Sequence, residues 1–401
     1  MLEKITIIVA AILGIIMTLY GLYYIFIALY YFKERIEYPE TDHFNKFAIL
    51  VPARNEGQVI GQLIGTLKAQ NYPKDMYDIV VMPNNCTDDT EEISRQHGAI
   101  IFKPQGKITN KGQVLNQCFD YLLNNFDHDG FLVFDADNLV DANYLKEMNK
   151  ALDAGYQVAT GFRDSSNPTV SYISSAYAIY YLLASSFYNQ ARSNLGMNSL
   201  ITGTGFMTSR KALESLGGWN TCTLTEDVEF TLQNSIQGNN IAFVEKAITY
   251  DQQPENFKQA WNQRLRWSIG SQQGFKLMHK QLLLAEKNGR GKDTIDMFMM
   301  LLITYMQTAG FIVGIIAIIA SSLVNFWLFI SSLLIIGLGS IIIQTIMAIA
   351  VLKVNNKPIG DYWMGIISFW WFTLSWIPIH TIAMTKDTIE WKEIKHKAQT
   401  I

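Results

Sequence analysis

Phe131-Leu132-Val133-Phe134-Asp135-Ala136-Asp137 reads as a short apolar strand that ends in two carboxylates. Four consecutive large apolar residues suit a strand covered on both faces, as in the sheet of an α/β domain. In open sheets of that kind ligands bind in the crevice outside the carboxyl ends of the strands, so Asp135 and Asp137 stand where a ligand would be held. Residues i and i+2 share a face of an extended chain, and the pattern predicts that both carboxylates converge on one cation. One or two carboxylates plus substrate phosphates describe a Mg²⁺ or Mn²⁺ site. An isolated Asp-x-Asp is common in solvated loops; its place at the end of a buried strand gives this one its weight.

Upstream, the same alternation recurs. Phe47-Ala48-Ile49-Leu50-Val51 is a buried strand ending at Pro52, a helix is expected over Gln58–Ala69, and Asp78-Ile79-Val80-Val81-Met82 is the next strand. Their ends carry Pro52-Ala53-Arg54-Asn55-Glu56 and Pro83-Asn84-Asn85-Cys86-Thr87-Asp88-Asp89. Both loops are in position to touch a ligand, and both are also ordinary strand-to-helix loops with Asn and Asp as helix caps. Downstream, Thr225-Glu226-Asp227 offers a carboxylate able to deprotonate a hydroxyl, or a helix N-cap with acids in its first turn. Gln263-Arg264-Leu265-Arg266-Trp267 lies in a segment, Phe257 to Lys280, that mixes aromatic residues with Lys, Arg and Gln as an interfacial amphipathic helix does. There Arg266 can meet a lipid headgroup or a diphosphate, and Trp267 can anchor at an interface or stack on a sugar.

Apolar brackets surround this polar middle. The chain has 401 residues, 49% of them hydrophobic, and a net charge of −3, with no basic stripe of the kind nucleic-acid binding needs. Cys86, Cys118 and Cys222 have neither disulfide-framework nor zinc-like spacing. From Ile5 to Phe32 no residue is charged, enough for a span of about 20 residues and longer than a signal-peptide core. Lys33 and Arg35 after this span, against Lys4 before it, place the following domain on the cytoplasmic side. Met297 to Leu352 is uncharged and fits two spans broken near Ser321-Ser322 or Asn325, and Tyr362 to Thr385, rich in Trp and holding Pro378, crosses or breaks at the proline. Three C-terminal crossings would put the tail outside, whereas Lys386, Lys392, Lys395 and Lys397 favour the inside. Val170 to Gln190 is Tyr-rich and uncharged, an interface helix or a packed core helix. The expected domains are an N-terminal transmembrane helix (1–35), a cytoplasmic catalytic domain with interface helices (36–290), and a C-terminal transmembrane region with a short basic tail (291–401).

With Lys111 in a Lys-Gly-x-x-Leu-Asn stretch and Gly203-Thr204-Gly205-Phe206 added, these motifs stand in an order that resembles the membrane-embedded processive members of glycosyltransferase family 2, the cellulose, chitin, hyaluronan and poly-N-acetylglucosamine synthases. The resemblance covers nearly the whole length. It implies an α/β nucleotide-diphospho-sugar transferase domain of the GT-A type, cytoplasmic, joined to an α-helical transmembrane bundle. It also implies a nucleotide-sugar donor, most often a UDP-sugar, Mg²⁺ or Mn²⁺, and an inverted, β-linked product. By the same resemblance Pro52, Ala53, Arg54, Glu56, Asn84, Lys111, Asp135 and Arg266 bind the donor, and Asp135 and Asp137 hold the metal. Asp227 is the general base in a site shaped by Glu226, and Gln263 and Trp267 meet the acceptor. The expected function is extension of a polysaccharide coupled to its export through a multi-pass protein of the cell membrane, with membrane lipids around it and an accessory membrane subunit as a further partner. The alternative is transfer of one or a few sugars to a lipid, giving a glycolipid; a non-enzymatic scaffold requires every motif to be coincidence. The sequence departs from the family at Asn84, where an Asp usually recognises uracil, which opens the base preference. No cyclic-nucleotide-binding module is expected after Trp391.

Overall fold

The computed structural model describes residues 2–286, 291–389, 396 and 398. Its centre is a mixed eight-stranded sheet built from β1 (Phe47–Ala53), β2 (Tyr77–Pro83), β3 (Ile100–Ile101), β4 (Gly130–Val133), β5 (Leu139–Val140), β6 (Val158–Ser165), β7 (Phe206–Ser209) and β8 (Ile241–Asp251), in the order β3-β2-β1-β4-β7-β6-β8-β5. The first four in that order are parallel, with Leu50 opposite both Val80 and Val133. β7 runs antiparallel to β4 and β6. Its N-terminal end, with Gly203-Thr204-Gly205 just before it, therefore reaches the edge where β1, β2 and β4 end.

Around the sheet lie α1 (Leu2–Leu29), α2 (Ile60–Lys68), α3 (Thr90–Gln96), α4 (Lys111–Asn125), α5 (Tyr144–Asp153), α6 (Tyr172–Leu183), α7 (Ala191–Asn194), α8 (Arg210–Ser215) and α9 (Glu226–Gln237). They are followed by α10 (Phe257–Ala285), α11 (Gly291–Leu301), α12 (Ile303–Val324), α13 (Phe326–Val354), α14 (Trp363–Leu374) and α15 (Trp376–Ala383). α2 buries Ile60, Leu63, Ile64 and Leu67, spaced to share one helical face, against one side of the sheet. α4 covers the other side with Val114, Leu115, Cys118, Phe119 and Leu122. A third core is shared between the sheet domain and the last helices: Ile173, Tyr177 and Tyr181 of α6 pack with Val351 of α13 and Phe369 and Phe372 of α14.

Among the described residues three stretches are long and apolar enough to cross a membrane, Ala11–Phe32, Phe329–Val354 and Ile359–Ala383, and α11 with the first part of α12 passes as a fourth that is bent by 47°. Of the two expected break points it is Asn325 that interrupts the long uncharged run, its side chain accepting from the Trp327 N–H at 2.7 Å to cap α13. The last segment divides at Ser375, three residues ahead of Pro378. A proline cannot donate to the carbonyl four residues back, here that of Leu374, so the helix is interrupted there. Val170–Gln190 becomes α6 plus a π-helical turn, Ala184–Gln190, and takes the packed-core alternative. Trp391, Lys392, Lys395 and Lys397 lie outside the described residues.

α1 is fastened to the rest by a buried ion pair. Arg192 Nε and Nη2 donate to Asp296 at 2.7 and 2.9 Å, with both side chains almost wholly excluded from solvent, and the Tyr23 hydroxyl of α1 donates to Asp296 Oδ1 at 2.6 Å. The guanidinium lies 3.4 Å from the Tyr188 ring centroid.

Candidate active site

The strand ends converge on one cavity of about 850 Å³. Pro52, Ala53, Arg54, Glu56, Asn84, Lys111, Asp135, Asp137, Glu226, Asp227, Gln263, Arg266 and Trp267 all line it, so every residue that the resemblance assigns a role borders the same space.

Two cross-braced loops form the β1–β2 wall. Asn55, in the left-handed region at φ 57°, accepts from the Thr87 N–H at 2.8 Å, and Asp88 Oδ2 accepts from the Gly57 N–H at 2.9 Å. Asn is among the residues that tolerate this conformation, which suits it to the turn. Asn84 continues from β2, its N–H bonded to the Ala53 carbonyl at 2.9 Å.

β4 ends at Val133, and Asp135-Ala136-Asp137 is a turn rather than a strand end. The expectation that extended i, i+2 geometry aims both carboxylates at one point is thus corrected. The Asn138 N–H bonds the Asp135 carbonyl at 3.2 Å, and Thr204 Oγ1 accepts from the Asp135 N–H at 2.9 Å, which curls the chain. The two acids consequently have different neighbours. Asp135 Oδ1 takes a 2.6 Å bond from Lys111 Nζ, which also reaches the Gly203 carbonyl at 2.7 Å and lies 3.9 Å from Glu226 Oε1. Asp137 Oδ2 instead lies 3.7 Å from Nε2 of His396, whose Nδ1 is 2.9 Å from Glu56 Oε2.

Charge follows these contacts. Burial pushes the Lys111 ammonium toward neutrality, and Asp135, Glu226 and Asp227 more than reverse it, leaving its pKa raised. Burial raises Asp135, and Lys111 outweighs it, so this carboxyl ends below the usual range. Asp137 moves up, through burial first and then Asp135 and Glu56, against the pull of His396. His396 is itself raised to about 9, Asp137 and Glu56 overcoming its burial. A carboxylate cluster that draws a cation to itself suits a divalent ion: Asp137, with Asp135 or Glu56 beside it, would be the residues to hold Mg²⁺ or Mn²⁺. Among the described residues no group of three His, Cys, Asp or Glu forms a protein-only cage, and a cation shared with substrate does not need one.

Glu226 and Asp227 open α9. Thr225 occupies the cap position without its side chain capping; its hydroxyl has no hydrogen-bond partner among the described residues, which corrects the reading of this triplet as a side-chain N-cap. Close approach of α10 sets its surroundings. A Cβ on Gly270 would stand 2.6 Å from Thr225 Oγ1, so only glycine lets the helix lie so near. Arg266 Nη1 bonds the Leu224 carbonyl at 3.2 Å, and Gln273 Oε1 accepts from the Leu224 N–H at 2.8 Å. On the other side Gly203, at φ 85°, has room for no side chain without pressing on Asp227 Oδ2, 3.3 Å from its would-be Cβ. Burial raises the pKa of both Glu226 and Asp227, opposed by Lys111 and Arg266.

Arg163, Tyr180, Trp376 and His396 also line the cavity, and the sequence assigned none of them to the site. Arg163 Nε bonds Asp251 Oδ2 at 2.7 Å and its guanidinium lies 3.9 Å from the Tyr181 centroid. Burial lifts Asp251 to about 6 despite that cation. Tyr180 and Trp376 stand in the Tyr-rich and Trp-rich uncharged segments, whereas no local pattern marks Arg163 or His396, whose partners lie far along the chain.

Residues 45–270, more than half of the chain, match the family model described as "Glycosyltransferase like family 2". The chain belongs to glycosyltransferase family 2. This family 2 chain is 30% identical over 255 residues to the probable glycosyltransferase YdaM of Bacillus subtilis (strain 168), covering 59% of this chain and 60% of that one. It is 24% identical over 278 residues to the β-monoglucosyldiacylglycerol synthase of Synechocystis sp. (68% and 55% covered), and 24% identical over 267 residues to the poly-β-1,6-N-acetyl-D-glucosamine synthase of Staphylococcus aureus (62% of each). It thus spans between 55% and 62% of the length of these relatives. Among solved structures, the mannosyltransferase PcManGT from Pyrobaculum calidifontis, in complex with GDP-Man and Mn²⁺, superposes with a TM-score of 0.61 at 16% identity, covering 96% of this chain and 99% of that one. The family 2 chain therefore has the GT-A fold, with apolar helices that could span a membrane.

Proposed function

We propose that this family 2 chain is an inverting membrane glycosyltransferase that moves a sugar from a nucleotide-sugar, preferentially a UDP-sugar, to the end of a growing β-linked polysaccharide, coupled to its export. One observation carries the reading. A single cavity joins the carboxylates at the strand ends to Met300, Ile303 and Trp376 of the apolar helices, so donor chemistry and a membrane-side acceptor share one space.

In this reading Pro52, Ala53, Arg54, Glu56 and Asn84 cradle the nucleotide, and Lys111 and Arg266 offset charge on the diphosphate. Asp227 takes the proton from the acceptor hydroxyl as its oxygen bonds the anomeric carbon. The bond to the diphosphate oxygen breaks on the opposite face, and Glu226 keeps the base in place. Asp137 and Asp135 would hold a divalent cation, which would offset charge on the leaving diphosphate; PcManGT is in complex with GDP-Man and Mn²⁺. Gln263 and Trp267 meet the acceptor. Residues 1–35 are an N-terminal transmembrane helix and 291–401 a C-terminal transmembrane region with a short basic tail, with 36–290 cytoplasmic as Lys33 and Arg35 suggest. Lipids surround the helices, and an accessory membrane subunit is a further expected partner.

The second reading, transfer of one or a few sugars to a lipid, is favoured by the apolar side of the cavity at Met300 and Ile303 and by the glucosyldiacylglycerol synthases among the relatives. The protein in nanodiscs, incubated with radiolabelled UDP-glucose, UDP-N-acetylglucosamine or GDP-mannose and Mn²⁺, tests both. Labelled high-mass polymer supports the first reading, short lipid-extractable product the second, and no transfer from any donor overturns both.

A further inference from the structure

Arg264, within the Gln263–Trp267 cluster, faces away from the donor. It is fully buried, and among the described residues no carboxylate pairs with it. Its Nη1 donates to the Phe372 carbonyl at 3.0 Å and to Ser375 Oγ at 2.8 Å, where α14 gives way to α15. The Ser375 hydroxyl donates to the same Phe372 carbonyl at 2.6 Å, so Arg264 ties the last turn of α14 to the residue that precedes α15. The guanidinium also lies 4.4 Å from the Phe372 ring centroid and 5.3 Å from that of Trp376.

This grip fixes the first residue of α15. The Trp376 ring stacks on Trp267 with centroids 6.3 Å apart at 23°, meets Tyr180 at 6.1 Å, and is backed by His380 at 5.2 Å. His380 is held in turn by Ser268 Oγ at 2.9 Å. Trp267, Trp376 and Tyr180 all line the cavity and are partly exposed in it. Beside them α10 presents Gln259, Asn262 and Gln263, which share a helical face, and the buried Oε1 of Gln263 has no partner among the described residues. That buried acceptor is available to a hydrogen-bond donor, from a sugar hydroxyl or from water. Aromatic faces beside side-chain amides match a pyranose: its C–H face lies on the rings and its hydroxyls exchange hydrogen bonds with the amides. A bare diacylglycerol hydroxyl would use neither.

We infer that Trp376 and Tyr180 extend the acceptor site beyond Trp267 into a platform for the ring of a carbohydrate acceptor, and that Arg264 is a positioning residue that holds Trp376 there. The inference rests on the glycosyltransferase reading and narrows it to acceptors that already carry a sugar.

The test uses the full chain in nanodiscs with a radiolabelled UDP-sugar and Mn²⁺, comparing sugar transferred to glycan with sugar released to water. Cellotetraose, chitotetraose and dioleoylglycerol serve as added acceptors beside native membrane extract. Trp376→Ala is expected to lower the ratio of transfer to hydrolysis about tenfold, and Trp376→Phe to recover most of it. Arg264→Met should lower the same ratio, and Arg264→Met combined with Trp376→Ala should be no worse than Trp376→Ala alone, because one acts through the other. An unchanged ratio in Trp376→Ala, an equal fall of transfer and hydrolysis, or preferential use of dioleoylglycerol that Trp376→Ala leaves intact would overturn the inference. A wild-type protein that neither hydrolyses nor transfers defeats the glycosyltransferase reading itself, and this proposal with it.

Discussion

The Lys111 ammonium lies 2.6 Å from Asp135 and 3.9 Å from Glu226, so a single cation stands between the acids at the end of β4 and those that open α9. Lys111→Met removes it and leaves Asp135 facing the donor diphosphate uncompensated. The donor KM should rise about ten- to hundredfold, equivalent to about 1.4–2.8 kcal/mol, with Lys111→Arg recovering part of the loss. Titration of UDP into wild type and variants, followed by calorimetry, checks it; equal affinities would remove Lys111 from the donor site.

Asp227→Asn should retain nucleotide binding and lose about 10²–10⁴-fold in transfer, the usual contribution of a positioned base. The base works only when ionised. Because burial raises the Asp227 pKa, kcat/KM should fall with decreasing pH at a value above the ordinary aspartate pKa of about 3.9. Lys111→Met should move that acid limb to still higher pH, since Lys111 is one of the cations that hold Asp227 down. A profile between pH 4 and 8 at saturating Mn²⁺ reads both effects, and a limb that ignores Lys111 would place the base elsewhere.

Activity should vanish in EDTA and return with Mg²⁺ or Mn²⁺. In thermal-shift measurements, UDP with Mn²⁺ should raise the melting temperature of wild type more than UDP alone, and Asp137→Asn should abolish that difference. Full turnover of Asp137→Asn in chelator would sink the metal assignment.

Asp296→Asn should destabilise the protein by about 3–5 kcal/mol, the usual consequence of leaving one member of a buried ion pair alone. Arg192→Met combined with Asp296→Leu should recover much of the loss, since a well-packed apolar pair can replace a buried ionic one. Thermal unfolding in detergent provides the comparison. A single variant as stable as wild type would show that solvent reaches the pair.

Much of the catalytic half was legible because its signals are local. An apolar run ending in acids sits at a strand's carboxyl end whatever the rest of the chain does, and this was enough to place Asp135, Asp137 and the Asn84 loop at one edge. Asn325 was legible as a break for the same reason. The turn at Asp135–Asp137 was not, because it depends on Thr204, brought over by the antiparallel β7. Nor was His396, which meets Glu56 across almost the whole chain. The bend between α11 and α12 escaped too: the uncharged run begins at Met297, whereas the bend comes after Leu301, and the helix before it carries Asp296, whose partner Arg192 is remote in sequence.

The core that α6 shares with α13 and α14 has a consequence for how the chain is made. Tyr177 and Tyr181 leave the ribosome well before Phe369 and Phe372 exist to cover them, a delay of roughly ten to forty seconds at about 5–20 residues per second. Throughout that interval the nascent sheet domain carries an uncapped aromatic flank, a surface that invites chaperones or wrong neighbours. Ribosomes stalled or messages truncated ahead of codon 369 should therefore yield an aggregating product even though every catalytic motif through Trp267 has been translated.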